Sequence, residues 1–246
     1  MVSLINKVAI VTGASRSIGK AIALRLAENG AIVVVNYNSG ADEAQAVVDE
    51  ITSKGGQAIA MQADISKIAD IRRLFQSVID LFGKLDILVN NAGIARGGLV
   101  AEVLEEDYNA VFDLNVKGVL FCLQEAARQM QDNGRIVNVS SSTTLFPSSG
   151  GAVYAASKAA EKLFTEVLAK ELGAKGITVN SVVPGPTSPG MFDNAPPEHQ
   201  KRAIASSPFA RLGQPEDIAD VVSFLVSEES RWITGQHILA NGGATI

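Results

Sequence analysis

The chain has 246 residues, 47% of them hydrophobic and 19% charged, with 22 glycines and 8 prolines; that is enough apolar material for a sizeable core and excludes a disordered chain. The net charge of -5 comes from 26 acidic and 21 basic residues with neither sign gathered in a block, which argues against nucleic acid or an anionic membrane surface as a partner and for a small molecule. Cys122, His199 and His237 are too few for an internal disulfide or a zinc centre, so no metal is expected.

Short β-branched runs alternate with helical periodicity from end to end. A strand at Val8–Val11 precedes a helix at Ser17–Asn29, a strand at Ala31–Val35 a helix at Ala41–Ser53, and a strand at Ala58–Met61 a helix at Ile68–Phe82. The order continues with a strand at Ile87–Val89, a helix at Leu104–Gln131, a strand at Ile136–Val139 and a helix at Ala152–Leu172. A strand at Thr178–Val183, a helix at Pro215–Ser227 and a last strand at Gln236–Ala240 complete it. Continuous apolar runs of this length suit strands buried on both faces. The alternation predicts the α/β class: a doubly wound, mostly parallel seven-stranded sheet with helices on both faces and ligands at the carboxyl ends of the strands. Length and the lack of a repeat or linker predict one domain over residues 1–246. The one long interruption, Pro184–Leu212, is rich in proline and carries Met191, Phe192 and Phe209; it reads as a lid over a site. No apolar run reaches the roughly 18 residues of a membrane span, and Met1–Lys7 is too short and too weakly basic for a signal peptide, which leaves the cytoplasm as the expected location.

After the first strand comes Thr12-Gly13-Ala14-Ser15-Arg16-Ser17-Ile18-Gly19, with a helix starting inside it. A glycine turn feeding a helix N-terminus offers unpaired N–H groups and a positive dipole end to a pyrophosphate, as in a Rossmann fold. A fold that takes NAD usually ends its second strand in Asp or Glu to hold the ribose 2'-hydroxyl. Here that strand runs into Asn36, which does not repel a 2'-phosphate, and Arg16 stands in the turn to attract one. The charge argument therefore favours NADPH, with NADH possible.

Tyr154 and Lys158 are four apart in a predicted helix and share a face. A free phenol titrates near pH 10, and a neighbouring ammonium favours the phenolate, bringing proton exchange toward neutral pH. Thirteen residues before Tyr154, Ser141 lies in a serine run at the carboxyl end of the fifth strand, where a doubly wound fold exposes its ligand site. No G-x-S-x-G elbow surrounds it, which sets a hydrolase nucleophile aside.

Together these residues resemble the short-chain dehydrogenase/reductase family over the whole length. The carriers are TGASRSIG at Thr12–Gly19, Asp64, Asn90-Asn91-Ala92-Gly93, Asn115 in Asn115-Val116-Lys117-Gly118, Ser141, Tyr154-Ala155-Ala156-Ser157-Lys158 and Pro184-Gly185. The likeness is strongest to the 3-oxoacyl-[acyl-carrier-protein] reductase branch, whose features many reductases of other small carbonyls and alcohols share. The resemblance implies hydride transfer between nicotinamide and a ketone, with Tyr154 protonating the oxygen and Ser141 positioning it. It implies that Lys158 lowers the pKa of Tyr154 and holds the nicotinamide ribose, and that Asn115 anchors a water joining Lys158 to solvent. Gly13, Ser15, Arg16, Ser17, Ile18 and Gly19 would hold the phosphates, with Asn36 near the ribose. Asp64 and Ile65 would flank the adenine, Asn91, Ala92 and Gly93 would line the ribose, and Pro184, Gly185 and Thr187 would lie near the nicotinamide, as would Val183. Ile94, Met191 and Phe192 would wall the substrate. The family's subunits pair through the two long helices and form homotetramers, and that assembly is expected here.

Two positions depart from the family pattern. Ser17 stands where Gly is usual, adding a side chain where backbone normally approaches phosphate. Pro189 stands where relatives carry a Thr that bonds the nicotinamide carboxamide, leaving Thr187 or Ser188 as substitutes or a lid anchored differently. These departures keep open a catalytically silent nucleotide-binding regulatory protein beside the reductase reading. An NAD-dependent alcohol or sugar dehydrogenase is the other alternative.

Overall fold

The computed structural model describes residues 2–244. Strands β1 (Val8–Val11), β2 (Ile32–Tyr37), β3 (Gln57–Gln62), β4 (Ile87–Asn90), β5 (Arg135–Val139), β6 (Thr178–Pro184) and β7 (His237–Ala240) form one sheet in the order β3-β2-β1-β4-β5-β6-β7. Every pairing is parallel. The helices between them are α1 (Ser17–Glu28), α2 (Ala41–Ser53), α3 (Ile68–Phe82), α4 (Glu105–Phe112), α5 (Val119–Gln129), α6 (Ala152–Leu172), α7 (Pro197–Ser206) and α8 (Pro215–Leu225). From β1 the chain moves outward to β2 and β3, then returns to place β4 on the other side of β1. The strand order thus reverses between β1 and β4, which opens a crevice at their carboxyl ends.

Alternation along each strand builds two cores. Ala9 and Val11 of β1 join Ile22 and Leu26 of α1, Val47 and Ile51 of α2, and Ile218 and Val222 of α8. Val8 and Ile10 face the other way, against Ile71 and Phe75 of α3, Leu123 of α5, and Leu168 and Leu172 of α6. Each of these Val, Ile, Leu and Phe side chains contributes about 1.5–3 kcal/mol by leaving water. The central strands β1, β4, β5 and β6 are buried throughout, whereas the edge strands β3 and β7 are partly open. Among the described residues no helix is long and apolar enough to cross a membrane, and no cluster of three or more His, Cys, Asp or Glu is placed to hold a metal.

Three predicted elements differ. Strand β2 continues to Tyr37, because Asn36 and Tyr37 still pair with Met61 and Gln62 of β3. The helix expected over Leu104–Gln131 is interrupted by a π-helical stretch at Asp113–Gly118; a wider turn there aims the buried Asn115 at the end of β4 and lays Gly118 against the Ile65 carbonyl. The lid is not structureless: it holds a short turn at Met191–Asn194 and helix α7, started by Pro197 at its first position. Helix α7 escaped the periodicity reading because none of its residues is buried.

Candidate active site

The crevice is built first by the turn between β1 and α1. Gly13 has φ +61, a left-handed conformation suited to glycine, and a Cβ there would lie 3.0 Å from Ala92 Cα. Gly19 is buried in α1 directly under the turn, where a side chain would collide with the Gly13 carbonyl. Thr12 fastens this turn to the end of β4: its hydroxyl accepts from Asn91 N (2.9 Å) and Ala92 N (3.0 Å). The Asn91 amide donates back to the carbonyls of Thr12 (2.9 Å) and Gly13 (3.0 Å). Thr12 opens the motif, but nothing in its spacing marks its hydroxyl as the fastener. Helix α1 starts at Ser17 with no side-chain cap and no acidic residue in its first turn. Its leading N–H groups are therefore left for an anion, and together with the Gly13 cradle they fit a dinucleotide phosphate.

Asn36 is turned inward under the glycine turn. It is 1% exposed, and its amide donates to Met61 O and Ala63 O (both 3.2 Å) while its Oδ1 accepts from Gly13 N (3.3 Å). The side chain locks the glycine turn to the ends of β2 and β3, and Tyr37, not Asn36, ends the strand toward solvent. Arg16 is exposed beside the turn, and no acidic partner is found for it among the described residues. Ile65 is 3% exposed, with its side chain in the core, so the expected adenine contact is left to its backbone. Asp64, partly exposed, accepts from Ser66 N (3.0 Å) and Ser66 Oγ (2.7 Å). Burial works against its carboxylate, but these bonds and Lys67 outweigh it and hold Asp64 below the usual range.

The second wall comes from β4, the π stretch, β5 and α6. Asn115 is fully buried; its Oδ1 accepts from Ile94 N (3.0 Å) and its amide donates to Ile94 O (2.9 Å) and Ser157 Oγ (3.1 Å). Asn115 therefore clamps the chain after Gly93 to helix α6. Gly93 sits over this point: a Cβ there would be 3.3 Å from Asn115 Oδ1 and 3.7 Å from Lys158 Nζ. Lys158, 3% exposed, donates to Val139 O (2.7 Å), two residues before Ser141, which ties α6 to the end of β5. Burial works against its ammonium, but Glu161 and Tyr154 favour it, and the net direction is upward. Ser141 Oγ accepts from Thr143 N (3.2 Å) and Thr143 Oγ1 (3.0 Å), leaving its own proton to donate. Tyr154 is half-buried on the same face of α6 as Lys158. A hydroxyl donor, a phenol and a buried ammonium thus stand beside the nucleotide turn, an arrangement able to bind and protonate a carbonyl oxygen.

Strand β6 ends in Pro184, and Gly185 packs against Asn241 where a Cβ would come within 2.7 Å of the Asn241 side chain. The Thr187 hydroxyl donates to Gly185 O (2.9 Å), and Ser188 bonds the Asp193 carboxylate. Met191 is exposed and Phe192 half-buried on the lid, while Ile94 is half-buried next to the Asn115 clamp. The two departures from the family pattern meet: Ser17 Oγ donates to Pro189 O at 2.6 Å. Ser17 has φ +49, so this hydroxyl joins the nucleotide turn to the lid at a position where glycine sits without strain.

A family model described as enoyl-(acyl carrier protein) reductase matches residues 13–245. The chain is similar to the 3-oxoacyl-[acyl-carrier-protein] reductase FabG of Staphylococcus aureus, with 44% identity over 97% of this chain and 98% of the relative. Among solved structures it is similar to a short-chain dehydrogenase from Burkholderia cenocepacia in complex with NADP (43% identity, TM-score 0.93, 99% of each chain). It is also similar to the angucycline C-6 ketoreductase LanV with bound NADP (41% identity, TM-score 0.93, 98% of this chain and 96% of that one).

Proposed function

Because the chain belongs to the short-chain dehydrogenase/reductase family, we propose that this oxidoreductase uses NADPH to reduce a ketone, with Tyr154 as the general acid. The observation that carries the reading is the convergence of Ser141, Tyr154 and Lys158 at the crevice that the Gly13 turn and the uncapped α1 terminus prepare for a dinucleotide. Its support from relatives is that a similar ketoreductase and a similar short-chain dehydrogenase are NADP-bound. When bound, the dinucleotide supplies the hydride. Gly13, Ser15, Ile18 and the α1 N-terminus would hold its phosphates, Arg16 its 2'-phosphate, and Asn91, Ala92, Gly93 and Lys158 its riboses. Pro184, Gly185 and Thr187 would border its far end.

The chain's own residues then perform the proton chemistry. Ser141 donates its free proton to the carbonyl oxygen and fixes it near Tyr154. Tyr154 gives that oxygen its phenolic proton as negative charge develops there, and Lys158 stabilises the phenolate left behind. Asn115 keeps Lys158 and the Gly93 backbone in register through Ser157 and Ile94. Lid residues Met191 and Phe192, with Ile94, exclude water from the reacting carbon. A hydroxyl donor, a phenol and an ammonium brought together favour the enzyme over a silent nucleotide-binding protein, and exposed Arg16 favours NADPH over an NAD-dependent dehydrogenase. The outer faces of α5 and α6 carry exposed Leu120, Leu163 and Val167; pairing there buries them in a homotetramer. A cytoplasmic location is part of this proposal; among the described residues no helix is long and apolar enough to cross a membrane. Screening NADPH and NADH oxidation against a broad panel of ketones and 3-oxoacyl thioesters tests the proposal. NADPH-dependent turnover of at least one ketone is expected, and NADPH binding without turnover of any of them contradicts it.

A further inference from the structure

Glu161 is a carboxylate that the reaction above leaves without a role, yet it stands against the reacting group. It lies on α6 three residues after Lys158, is 0% exposed, and places Oε2 at 2.8 Å from Lys158 Nζ. Tyr154, Lys158 and Glu161 are spaced by four and three residues, so the phenol, the ammonium and the carboxylate follow one another along a single face over two helical turns. The other carboxylate oxygen, Oε1, is buried without a hydrogen-bond partner. The layer around it is polar but neutral: Asn90 donates to Asn138 (2.9 Å), Asn138 to Thr165 (2.8 Å), and Thr165 to Glu161 O (3.1 Å).

A buried carboxylate with one oxygen unsatisfied is costly, and Lys158 does not need it to stay in place, since Val139 O already holds the ammonium. What Glu161 changes is charge. An ammonium alone projects its full field onto the Tyr154 hydroxyl, whereas an ammonium paired with a carboxylate projects only part of it. Resting on the roles proposed for Tyr154 and Lys158, we infer that Glu161 is a positioning residue that offsets the Lys158 charge at the Tyr154 hydroxyl and thereby sets the pH range over which the site delivers a proton to a ketone.

The surrounding charges leave this pair to act on itself. On the π stretch Asp113 is exposed and paired with Lys117, and on α4 Asp107 is paired with Arg96. Helix α5 brings Cys122, a thiol that burial keeps protonated with help from Glu125, and Glu125 itself is a buried carboxylate taken up by Arg72 and Arg128. Strands β4, β5 and β6 present Asn90, Asn138, Asn180 and Ser181, all neutral. Farther along α6, Glu166 is taken up by His237. Burial pushes the Glu161 carboxyl up against the opposing pull of Lys158.

The test compares wild type with Glu161→Gln, which keeps an acceptor for the ammonium but no charge, Glu161→Leu, which fills the space, and Glu161→Asp, which keeps the charge and shortens the arm. The first readout needs neither cofactor nor substrate. Of the three tyrosines, Tyr154 is isolated by subtracting the tyrosinate absorbance of a Tyr154→Phe variant made in each background. Its ionisation midpoint should fall by about one unit in Glu161→Gln and Glu161→Leu, the effect of a unit charge some two turns away, with Glu161→Asp between them and wild type. The second readout is the alkaline limb of kcat/KM for ketone reduction, which should move down by the same amount with the KM for NADPH unchanged. A midpoint that stays or rises in the neutral variants overturns the inference. If Tyr154→Phe itself retains turnover, the failure lies instead with the proposed general acid, so the two ideas fail separately.

Discussion

Asn36 and Arg16 carry the cofactor question between them, and the structure divides their work. The Asn36 amide donates to Met61 O and Ala63 O, so Asn36→Asp turns a carboxylate onto two carbonyls. It should cost about 1–3 kcal/mol of stability, lowering Tm, and weaken NADPH and NADH alike instead of exchanging one for the other. Arg16 has no such internal duty; Arg16→Ala should lower kcat/KM with NADPH about ten-fold, leave NADH nearly unchanged, and make the remaining NADPH affinity less sensitive to salt. Equal losses for both cofactors would place the 2'-phosphate elsewhere, with Tyr37 at the strand end the next position to change. Residue identity in the motifs was readable in the chain, because Tyr154 and Lys158 must share a helix face whatever the packing. The direction of Asn36 was not, since the apolar run stops at Val35 and only pairing with Met61 and Gln62 of β3 carries the strand past it. Nor was the Glu161 partnership, because its spacing from Lys158 reads equally as a solvated ion pair.

At the scale of elements, the lid is fastened at both ends. Near its start Ser17 Oγ holds Pro189 O. Ser17→Ala removes that bond and keeps the left-handed backbone, so it should speed proteolysis within residues 190–206 several-fold and lower Tm. Ser17→Gly should speed proteolysis as much while holding Tm, because glycine relieves a strain of about 1 kcal/mol. Slower cleavage in either variant would show that the bond does not restrain the lid. Near its end Arg211 grips Asp217 through both terminal guanidinium nitrogens (2.6 and 2.9 Å). Arg211, assisted by the Gln214 N–H, holds the Asp217 carboxyl below its usual value despite some burial. A depressed carboxylate stabilises above its unfolded value and loses that contribution as pH falls through the folded one. The lid anchor should therefore hold at neutral pH and release below about pH 4, seen as faster lid cleavage by an acid protease; Asp217→Asn should abolish that step. The order of strands and helices was legible because buried parallel strands need short apolar runs. The π stretch was not, since its sequence keeps helical periodicity and only the close approach of Gly118 to Ile65 reveals the wider turn.

For the whole molecule, the sheet order places the nucleotide turn and the Ser141, Tyr154 and Lys158 group on either side of one crevice, so binding and chemistry meet where the strand order reverses. Leu163 and Val167 are 60% and 54% exposed on α6; Leu163→Glu with Val167→Glu should convert the proposed tetramer into smaller particles by light scattering, and an unchanged mass would remove α6 from the proposed interface. The central claim is that this crevice reduces a ketone with Tyr154 as the acid. It is tested most directly by single-turnover NADPH oxidation with an active ketone, comparing wild type and Tyr154→Phe at saturating cofactor. The account predicts an unchanged NADPH Kd and a chemical step slowed about 10²- to 10⁴-fold, the usual contribution of a positioned acid. A variant that keeps more than about a tenth of the wild-type rate would contradict it.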